Sequence, residues 1–169
     1  MSASVTLSSS SPDETRSIGE TIGADLRPGD VVLLSGELGA GKTVFVQGIA
    51  RGLGFDSSVS SKSFVLLGEY PGRVKLYHAD LYRLEDPDQV AQLALDEISS
   101  DGVLAVEWPE RAGDRVLPEE HLRVDFEVTG ENSRTLSVSA EGQRAQEMVK
   151  AMSDGGAQDS SRVVAEGGS

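Results

Sequence analysis

The chain has 169 residues, of which 38% are hydrophobic, and this suits one domain with a single core. Its net charge of −13 argues against a protein that holds RNA or DNA unaided, because such proteins present a basic face. Having no cysteine, it can build neither a disulfide framework nor a thiolate metal site. Its apolar runs, such as Val31-Val32-Leu33-Leu34, are far too short for a membrane span. No secretory pattern opens the chain, so we expect a cytoplasmic protein.

Both ends of the chain are rich in small and polar residues, which cannot offset the entropy lost on ordering. We therefore predict disordered tails at residues 1–10 and 153–169, on either side of a domain at residues 11–152. A helix is expected to start at Ser11-Pro12-Asp13-Glu14, where Ser11 can cap and Pro12 suits the first helical position. A turn at residues 27–30 then leads into the unbroken apolar strand Val31 to Leu34, a pattern typical of a strand covered on both faces.

A loop at residues 36–43 and a helix from about Lys42 to Leu53 follow, and Gly54 supplies the helix stop. Beyond them the apolar patterning predicts short strands with two hairpins, one further buried strand, and two helices. The strands are at residues 64–70, 73–78, 102–106, 121–128 and 134–139, and the helices begin near Asp86-Pro87-Asp88 and Glu141. This mixture predicts a P-loop NTPase-like three-layer α/β/α domain with a mixed parallel and antiparallel central sheet.

The loop reads Gly-Glu-Leu-Gly-Ala-Gly-Lys-Thr and matches the phosphate-binding pattern Gly-x-x-x-x-Gly-Lys-Thr. Glycines let the backbone turn tightly and bring its N–H groups to phosphate oxygens, and the following helix adds its positive dipole end. Lys42 is the point charge expected for the β- and γ-phosphates, and the Thr43 hydroxyl is the expected magnesium ligand. The predicted ATP contacts are Glu37, Leu38, Gly39, Ala40, Gly41, Lys42 and Thr43.

Acidic side chains follow two of the predicted strands. Glu107 ends the apolar run Val103 to Val106, where a carboxylate beside the loop would be a second Mg²⁺ contact. Asp80 follows another strand and is either an ordinary acid in a polar stretch or a group that orients the attacking water or holds the outer shell of the metal. His78 is interpreted as packed or hydrogen-bonded, and Trp108 as either a core anchor or an aromatic surface near the nucleotide or a partner. Ser63, with Ser60 and Ser61, lies in a loop that is either a γ-phosphate sensor or a plain polar connection.

Two other patterns narrow the choice of ligand and partner. The Asn-Lys-x-Asp segment that reads guanine is absent from the sequence, so adenine is favoured. Residues 80–120 are strongly acidic, with Arg83, Arg111 and Arg115 as their bases, which indicates either a solvated face or a docking surface for a basic protein. A small-molecule kinase and a non-catalytic nucleotide-dependent interaction module stay open as alternatives to an ATPase.

Several segments together resemble the TsaE (YjeE) family of bacterial ATPases. The most specific are His78-Ala79-Asp80-Leu81-Tyr82-Arg83-Leu84 and Glu107-Trp108-Pro109-Glu110-Arg111. The loop and the Gly48-containing helix after it also match, as do Thr15 and Gly19 in the first helix, and the resemblance covers residues 13 to about 138. The chain departs from the family at Ser61-Lys62-Ser63-Phe64, where Ser-Pro-Thr-Phe is usual. Ser63 keeps a hydroxyl there, while loss of the proline removes a backbone restraint.

The resemblance implies an accessory role in making threonylcarbamoyladenosine, the modified adenosine beside the anticodon of tRNAs that read codons starting with A. The protein would bind and hydrolyse ATP with Mg²⁺ while docked on the TsaD–TsaB pair, slowly when alone, and would meet tRNA only through those partners. It would bind neither DNA nor a membrane. By the same resemblance Lys42, Thr43 and Glu107 hold phosphate and metal, Asp80 assists hydrolysis, Trp108 is functionally sensitive, and Thr15 and Arg134 lie near the nucleotide.

Overall fold

The fold was examined in a computed structural model that describes residues 3–55, 67–82, 99–112, 117–156 and 163–164. Within these ranges the α-helices are α1 (Pro12–Asp25), α2 (Lys42–Gly52) and α3 (Gln143–Gly156). The strands are β1 (Ser4–Ser9), β2 (Val31–Ser35), β3 (Leu67–Tyr70), β4 (Lys75–Asp80), β5 (Gly102–Glu107), β6 (His121–Val128), β7 (Arg134–Glu141) and β8 (Val163–Val164). Two short 3-10 turns occupy Ser99–Asp101 and Pro109–Arg111.

All eight strands form one sheet in the order β3-β4-β5-β2-β6-β7-β1-β8. The four strands β4, β5, β2 and β6 run parallel, and the remaining pairs are antiparallel. The predicted α/β class and mixed sheet are therefore confirmed. The helix predicted from Asp86-Pro87-Asp88 lies outside the described residues.

The two central strands are buried along their whole length, as their unbroken apolar sequences predict. Alternate residues of β2 enter different cores, with Val32 on the face that packs against α1, α2 and α3, and Val31 on the opposite face. Arg144 of α3 joins the helical layer by donating from Nη2 to the carbonyl oxygen of Asp25 at the end of α1, at 2.6 Å. Arg144 also pairs with Asp30 at 3.3 Å, so it connects α3 to the chain just before β2.

Helices α1 and α2 lie unusually close together because glycines face each other across their contact. A methyl group at Gly19 would collide with the carbonyl oxygen of Phe45, and one at Gly48 with the carbonyl oxygen of Arg16. Gly23 and Gly52 are equally crowded by the backbone of the opposite helix. Only glycine permits this approach, and it fixes the direction in which α2 leaves the loop.

The predicted tails need correction at both ends of the domain. Residues 1–10 were expected to be disordered, but Ser4–Ser9 form β1, which pairs with β7 over its whole length. The reason is the alternation Ser4-Val5-Thr6-Leu7, which turns Val5 and Leu7 into the core. At the other end α3 continues to Gly156, and Val163–Val164 pair with β1, inside the predicted tail 153–169. Among the described residues no helix is long and apolar enough to cross a membrane.

Candidate functional site

The candidate site lies where the carboxyl ends of β4, β5 and β2 meet. Parallel pairing places Asp80 opposite Glu107, and Glu107 opposite Leu34, one residue before the end of β2. In parallel sheets the crevice at this edge is where ligands bind. The chain leaves β2 through the loop at residues 36–43 and enters α2 at Lys42, so the loop spans the top of the same edge.

The loop has the backbone shape that its glycines predict. Gly36, Gly39 and Gly41 all have positive φ angles, of 150°, 81° and 103°. Gly41 is the N-cap of α2 and forms no side-chain cap, which leaves the first N–H groups of the helix available to an anion. A cleft of about 260 Å³ opens beside them. Its lining comprises Leu38, Gly39, Ala40, Gly41, Lys42, Thr43, Val44, Asp80, Tyr82, Glu107 and Trp108.

Lys42 is folded into its own loop. Its Nζ donates to the carbonyl oxygen of Gly36 at 2.5 Å and lies 3.3 Å from the centre of the Trp108 ring. The side chain is only 4% exposed, and this burial lowers the pKa of Lys42, against the opposing effect of Glu107 and other nearby carboxylates. Lys42 thus has two internal partners that a phosphate group would have to replace.

Thr43 and Glu107 meet across the floor of the cleft. The Thr43 hydroxyl lies 3.2 and 3.1 Å from the two carboxylate oxygens of Glu107, and Glu107 is 3% exposed. A hydroxyl and a carboxylate side by side are hard oxygen donors, the kind that Mg²⁺ prefers, and Mg²⁺ sites keep several water ligands rather than a full protein cage. The described residues contain no group of three or more His, Cys, Asp or Glu suited to a metal. The donor set therefore fits Mg²⁺ held partly by phosphate oxygens and water.

His78 lies directly behind Glu107. Its Nε2 is 2.6 Å from Oε2 of Glu107, and the residue is 1% exposed. Nδ1 of the same ring has no hydrogen-bond partner within the described part of the chain. The interpretation of His78 as a packed or hydrogen-bonded histidine is thus confirmed.

Asp80 is half-buried at the end of β4. Its Oδ1 accepts the backbone N–H of Tyr82 at 3.1 Å. Burial raises the pKa of Asp80, and the nearby Glu107 carboxylate raises it further. Asp80 faces the same cleft as Lys42 and Thr43, as predicted from its place after a strand.

Trp108 forms an aromatic wall of the cleft. It is the one non-glycine residue with a positive φ, 61°, within the described ranges, and its N–H donates to the carbonyl oxygen of Leu34 at 3.1 Å. Its ring contacts that of Tyr82, with ring centres 4.9 Å apart, and covers Lys42. Held in this strained backbone conformation, Trp108 lies beside the loop rather than deep in the core.

Thr15 and Arg134 contact the loop and are not among the residues that line the cleft. Thr15 is buried on α1, shares a hydrogen bond of 2.7 Å with Ser9, and packs near Gly41. Arg134 on β7 donates to the carbonyl oxygens of Ala40 at 3.1 Å and Gly39 at 3.2 Å. Both residues therefore support the shape of the loop. Ser63 lies outside the described residues.

The sequence analysis overlooked a network at the end of β2. Ser35 donates to Oε2 of Glu110 at 3.2 Å and accepts from Nη2 of Arg123 at 2.8 Å. These two hydrogen bonds connect β6 and the turn at Trp108 to Ser35, the residue just before the loop. The motif Glu-Trp-Pro-Glu-Arg contained Glu110, but the pairing with Ser35 comes from strand register and has no local signal.

With this geometry established, the chain was compared with known proteins. A family model described as "Threonylcarbamoyl adenosine biosynthesis protein TsaE" matches residues 9–136, well over half of the chain. The chain belongs to the TsaE family. All the described cleft residues fall within the matched range.

Individual TsaE relatives are similar in sequence to this chain over most of their length. The tRNA threonylcarbamoyladenosine biosynthesis protein TsaE of Bacillus subtilis is 39% identical over 84% of this chain and 89% of the relative. That of Treponema pallidum is 38% identical over 78% of this chain and 97% of the relative. A crystal structure of Bacillus subtilis YdiB is similar with a TM-score of 0.76 at 33% identity, covering 92% of this chain and 97% of that one.

Proposed function

We propose that this TsaE-family chain binds and hydrolyses ATP with Mg²⁺ as an accessory protein of tRNA threonylcarbamoyladenosine biosynthesis. The observation that carries the proposal is the contact of Thr43 with both carboxylate oxygens of Glu107, beside a glycine loop that opens into a helix N-terminus. A hydroxyl and a carboxylate can bind Mg²⁺, and free N–H groups can bind the phosphates, so together they suit a nucleoside triphosphate with its metal.

The loop would bind the phosphates in place of its internal contacts. Lys42 would exchange Gly36 and the Trp108 ring for phosphate oxygens, and the N–H groups at the start of α2 would donate to the same anion. Thr43 and Glu107 would hold Mg²⁺, which when bound supplies positive charge to the phosphate oxygens. Because the Trp108 ring covers Lys42, its fluorescence is expected to change with this exchange.

Asp80 is the group we assign to the attacking water. It lies across the cleft from Lys42 and has no salt bridge within the described residues, so its carboxylate is available to accept a hydrogen bond from water. Its raised pKa makes it a better proton acceptor than an ordinary aspartate as long as it is ionised. Positioning and charge, rather than covalent chemistry, would supply the rate.

The proposed partners are the TsaD–TsaB pair. A net charge of −13 disfavours direct binding of tRNA by this chain, so tRNA would be contacted through the partners, and a cytoplasmic location follows from that task. The acidic residues of the 80–120 segment would then serve as a docking surface for a more basic protein.

The proposal is tested by measuring ADP release from ATP and Mg²⁺ by the chain alone, and then with purified TsaD–TsaB and tRNA. We expect slow turnover alone, a rise with the partners, and loss of turnover in Lys42→Ala while the fold is kept. Turnover that ignores the partners would contradict the accessory role. Stimulation by a small acceptor would then favour the kinase alternative, and nucleotide-dependent partner binding without turnover would favour the interaction module.

A further inference from the structure

His78 and Glu107 form a pair whose side chains are almost fully buried. His78 lies mid-strand in β4, between Gly68 of β3 and Ala105 of β5, with its side chain fully buried. A buried imidazole without a hydrogen bond costs free energy that an aliphatic side chain would avoid. The ring instead directs Nε2 at a carboxylate oxygen 2.6 Å away.

The direction of this hydrogen bond follows from the acceptor. A carboxylate oxygen can only accept, so Nε2 of His78 carries the hydrogen and donates it to Oε2 of Glu107. Nδ1 has no partner within the described ranges and needs none in order to keep this tautomer. Glu107 consequently has two donors in the described structure, the Nε2–H of His78 and the Thr43 hydroxyl.

Metal binding would affect these two hydrogen-bond donors differently. The oxygen of Thr43 is itself a proposed metal ligand, so the direction in which its hydroxyl hydrogen points depends on whether the metal is bound. His78 approaches the carboxylate from β4, inside the sheet, and is not a proposed metal ligand, so it can keep its hydrogen bond when the metal is bound. Groups that hydrogen-bond a metal-binding carboxylate in this way fix its orientation, and their removal costs about 10- to 100-fold in metal affinity or activity.

We propose that His78 is a positioning residue for Glu107. By holding Oε2 from within the sheet, it keeps the carboxylate in the rotamer that faces Thr43 and leaves Oε1 for a divalent cation. The inference rests on the proposed magnesium role of Glu107, and it assigns to His78 an effect on metal affinity, with nucleotide affinity in the absence of metal left unchanged.

The test compares His78→Leu, which has no donor, with His78→Gln, whose side-chain amide reaches about as far as Nε2. ATP binding is followed by the fluorescence of Trp108, the single tryptophan, first in EDTA and then across a Mg²⁺ titration. In His78→Leu we expect half-saturating Mg²⁺ to rise about 10-fold or more. Affinity for ATP in EDTA should stay within about twofold, and His78→Gln should recover most of the Mg²⁺ response.

The other histidine supplies a matched control. His121 lies at the opposite end of the sheet, where its Nδ1 is 3.0 Å from the carbonyl oxygen of Pro118. His121→Leu should leave the Mg²⁺ titration unchanged. If His78→Leu does not fold, as judged by thermal unfolding, His78→Asn replaces it, because the shorter amide stays buried and polar but does not reach Glu107.

Glu107→Gln separates failure of this inference from failure of the proposed function. A Mg²⁺ response that is the same in the native chain and in Glu107→Gln would remove the metal role of Glu107 and the inference with it. If Glu107→Gln loses the response while the donor-free His78 variant keeps it, His78 is only structural. Equal loss of ATP affinity in EDTA and in Mg²⁺, or no recovery in a folded His78→Gln, would also overturn the proposal.

Discussion

The parallel pair β2–β5 at the centre of the sheet and the antiparallel pair β6–β7 beside it, hereafter the antiparallel side, have opposite burial patterns. In β2 and β5 every residue is buried, whereas in β6 and β7 the buried residues alternate with more exposed polar ones such as Asp125 and Ser137. The proposed chemistry lies at the carboxyl ends of β2, β5 and the adjoining strand β4, where Asp80 pairs with Glu107. Reactive groups there gain from a rigid support and a low local dielectric.

The antiparallel side nonetheless reaches the site through two arginines. Arg123 of β6 contacts Ser35, and Arg134 of β7 contacts the loop carbonyls of Gly39 and Ala40. The comparison suggests a division of roles, in which the carboxyl ends of the buried strands would carry the proposed reacting groups and the antiparallel side holds the loop in shape. The following experiments test that division.

The largest effect is expected from the core of the parallel pair. Leu34→Ala removes a fully buried side chain of β2 and should lower the free energy of unfolding by about 2–5 kcal/mol. Ser137→Ala, on the exposed face of β7, should change it by no more than about 0.5 kcal/mol. Denaturant unfolding measures both, and similar losses in the two variants would contradict the proposed difference between the parallel pair and the antiparallel side.

Glu107→Gln should abolish most of the proposed hydrolysis with little change in the fold. The amide has the same shape but lacks the negative charge for Mg²⁺, and we expect turnover to fall roughly 100-fold, as for loss of one strong transition-state contact. Steady-state ADP release at saturating Mg²⁺, with ATP binding in EDTA as the control, checks this. A parallel loss in EDTA would indicate that Glu107 is structural.

Gly48→Ala tests whether helices α1 and α2 can move apart without loss of stability. Alanine is the better helix former, but its methyl group would collide with the carbonyl oxygen of Arg16, so we expect a net loss of about 1–3 kcal/mol. Gly130→Ala is the control, because that turn glycine meets only the Ser133 side chain. An increase in the midpoint of thermal unfolding for Gly48→Ala would show that α1 and α2 can move apart.

The pH profile of turnover reports on Asp80. Burial raises the pKa of Asp80, so protonation, which removes its capacity to accept a proton, should begin at a higher pH than for an ordinary aspartate. The acid limb of kcat should therefore fall about tenfold per pH unit below that raised pKa. Asp80→Asn should be slow and lack this limb, and an unchanged acid limb in Asp80→Asn would assign it to another group.

The smallest effect is expected from substitutions on the antiparallel side. Arg134→Ala removes the donors to Gly39 and Ala40 but no group of the cleft, so ATP affinity should fall about fivefold while its Mg²⁺ dependence stays the same. Arg123→Ala is the companion variant, acting through Ser35. A change in the half-saturating Mg²⁺ concentration in either variant would show that the antiparallel side also affects the proposed metal site, and would contradict the division of roles.

Sequence patterns were most informative where a residue type has one strong physical reason. The glycines and Lys42 of the loop were identified because a phosphate-binding loop requires them, and Glu107 because it ends an apolar run. The role of Asp80 was predicted mainly from the resemblance to the TsaE family. The pattern at Ser4–Ser9 also had a signal, a period of two, but the serine-rich composition hid it. Partners such as Ser35 with Glu110 had no signal, since the two residues are 75 positions apart.

The amino-acid sequence by itself therefore determined the glycine loop and the α/β class and predicted roles for Lys42, Thr43 and Glu107, while the role predicted for Asp80 rested on the family resemblance. Only the tertiary structure decided that His78 donates to Glu107 and that the guanidinium of Arg134 holds the loop carbonyls. The physical reason is that local patterns record which face of a strand is buried, whereas contacts between side chains depend on strand order and register, which are set by the packing of the whole sheet.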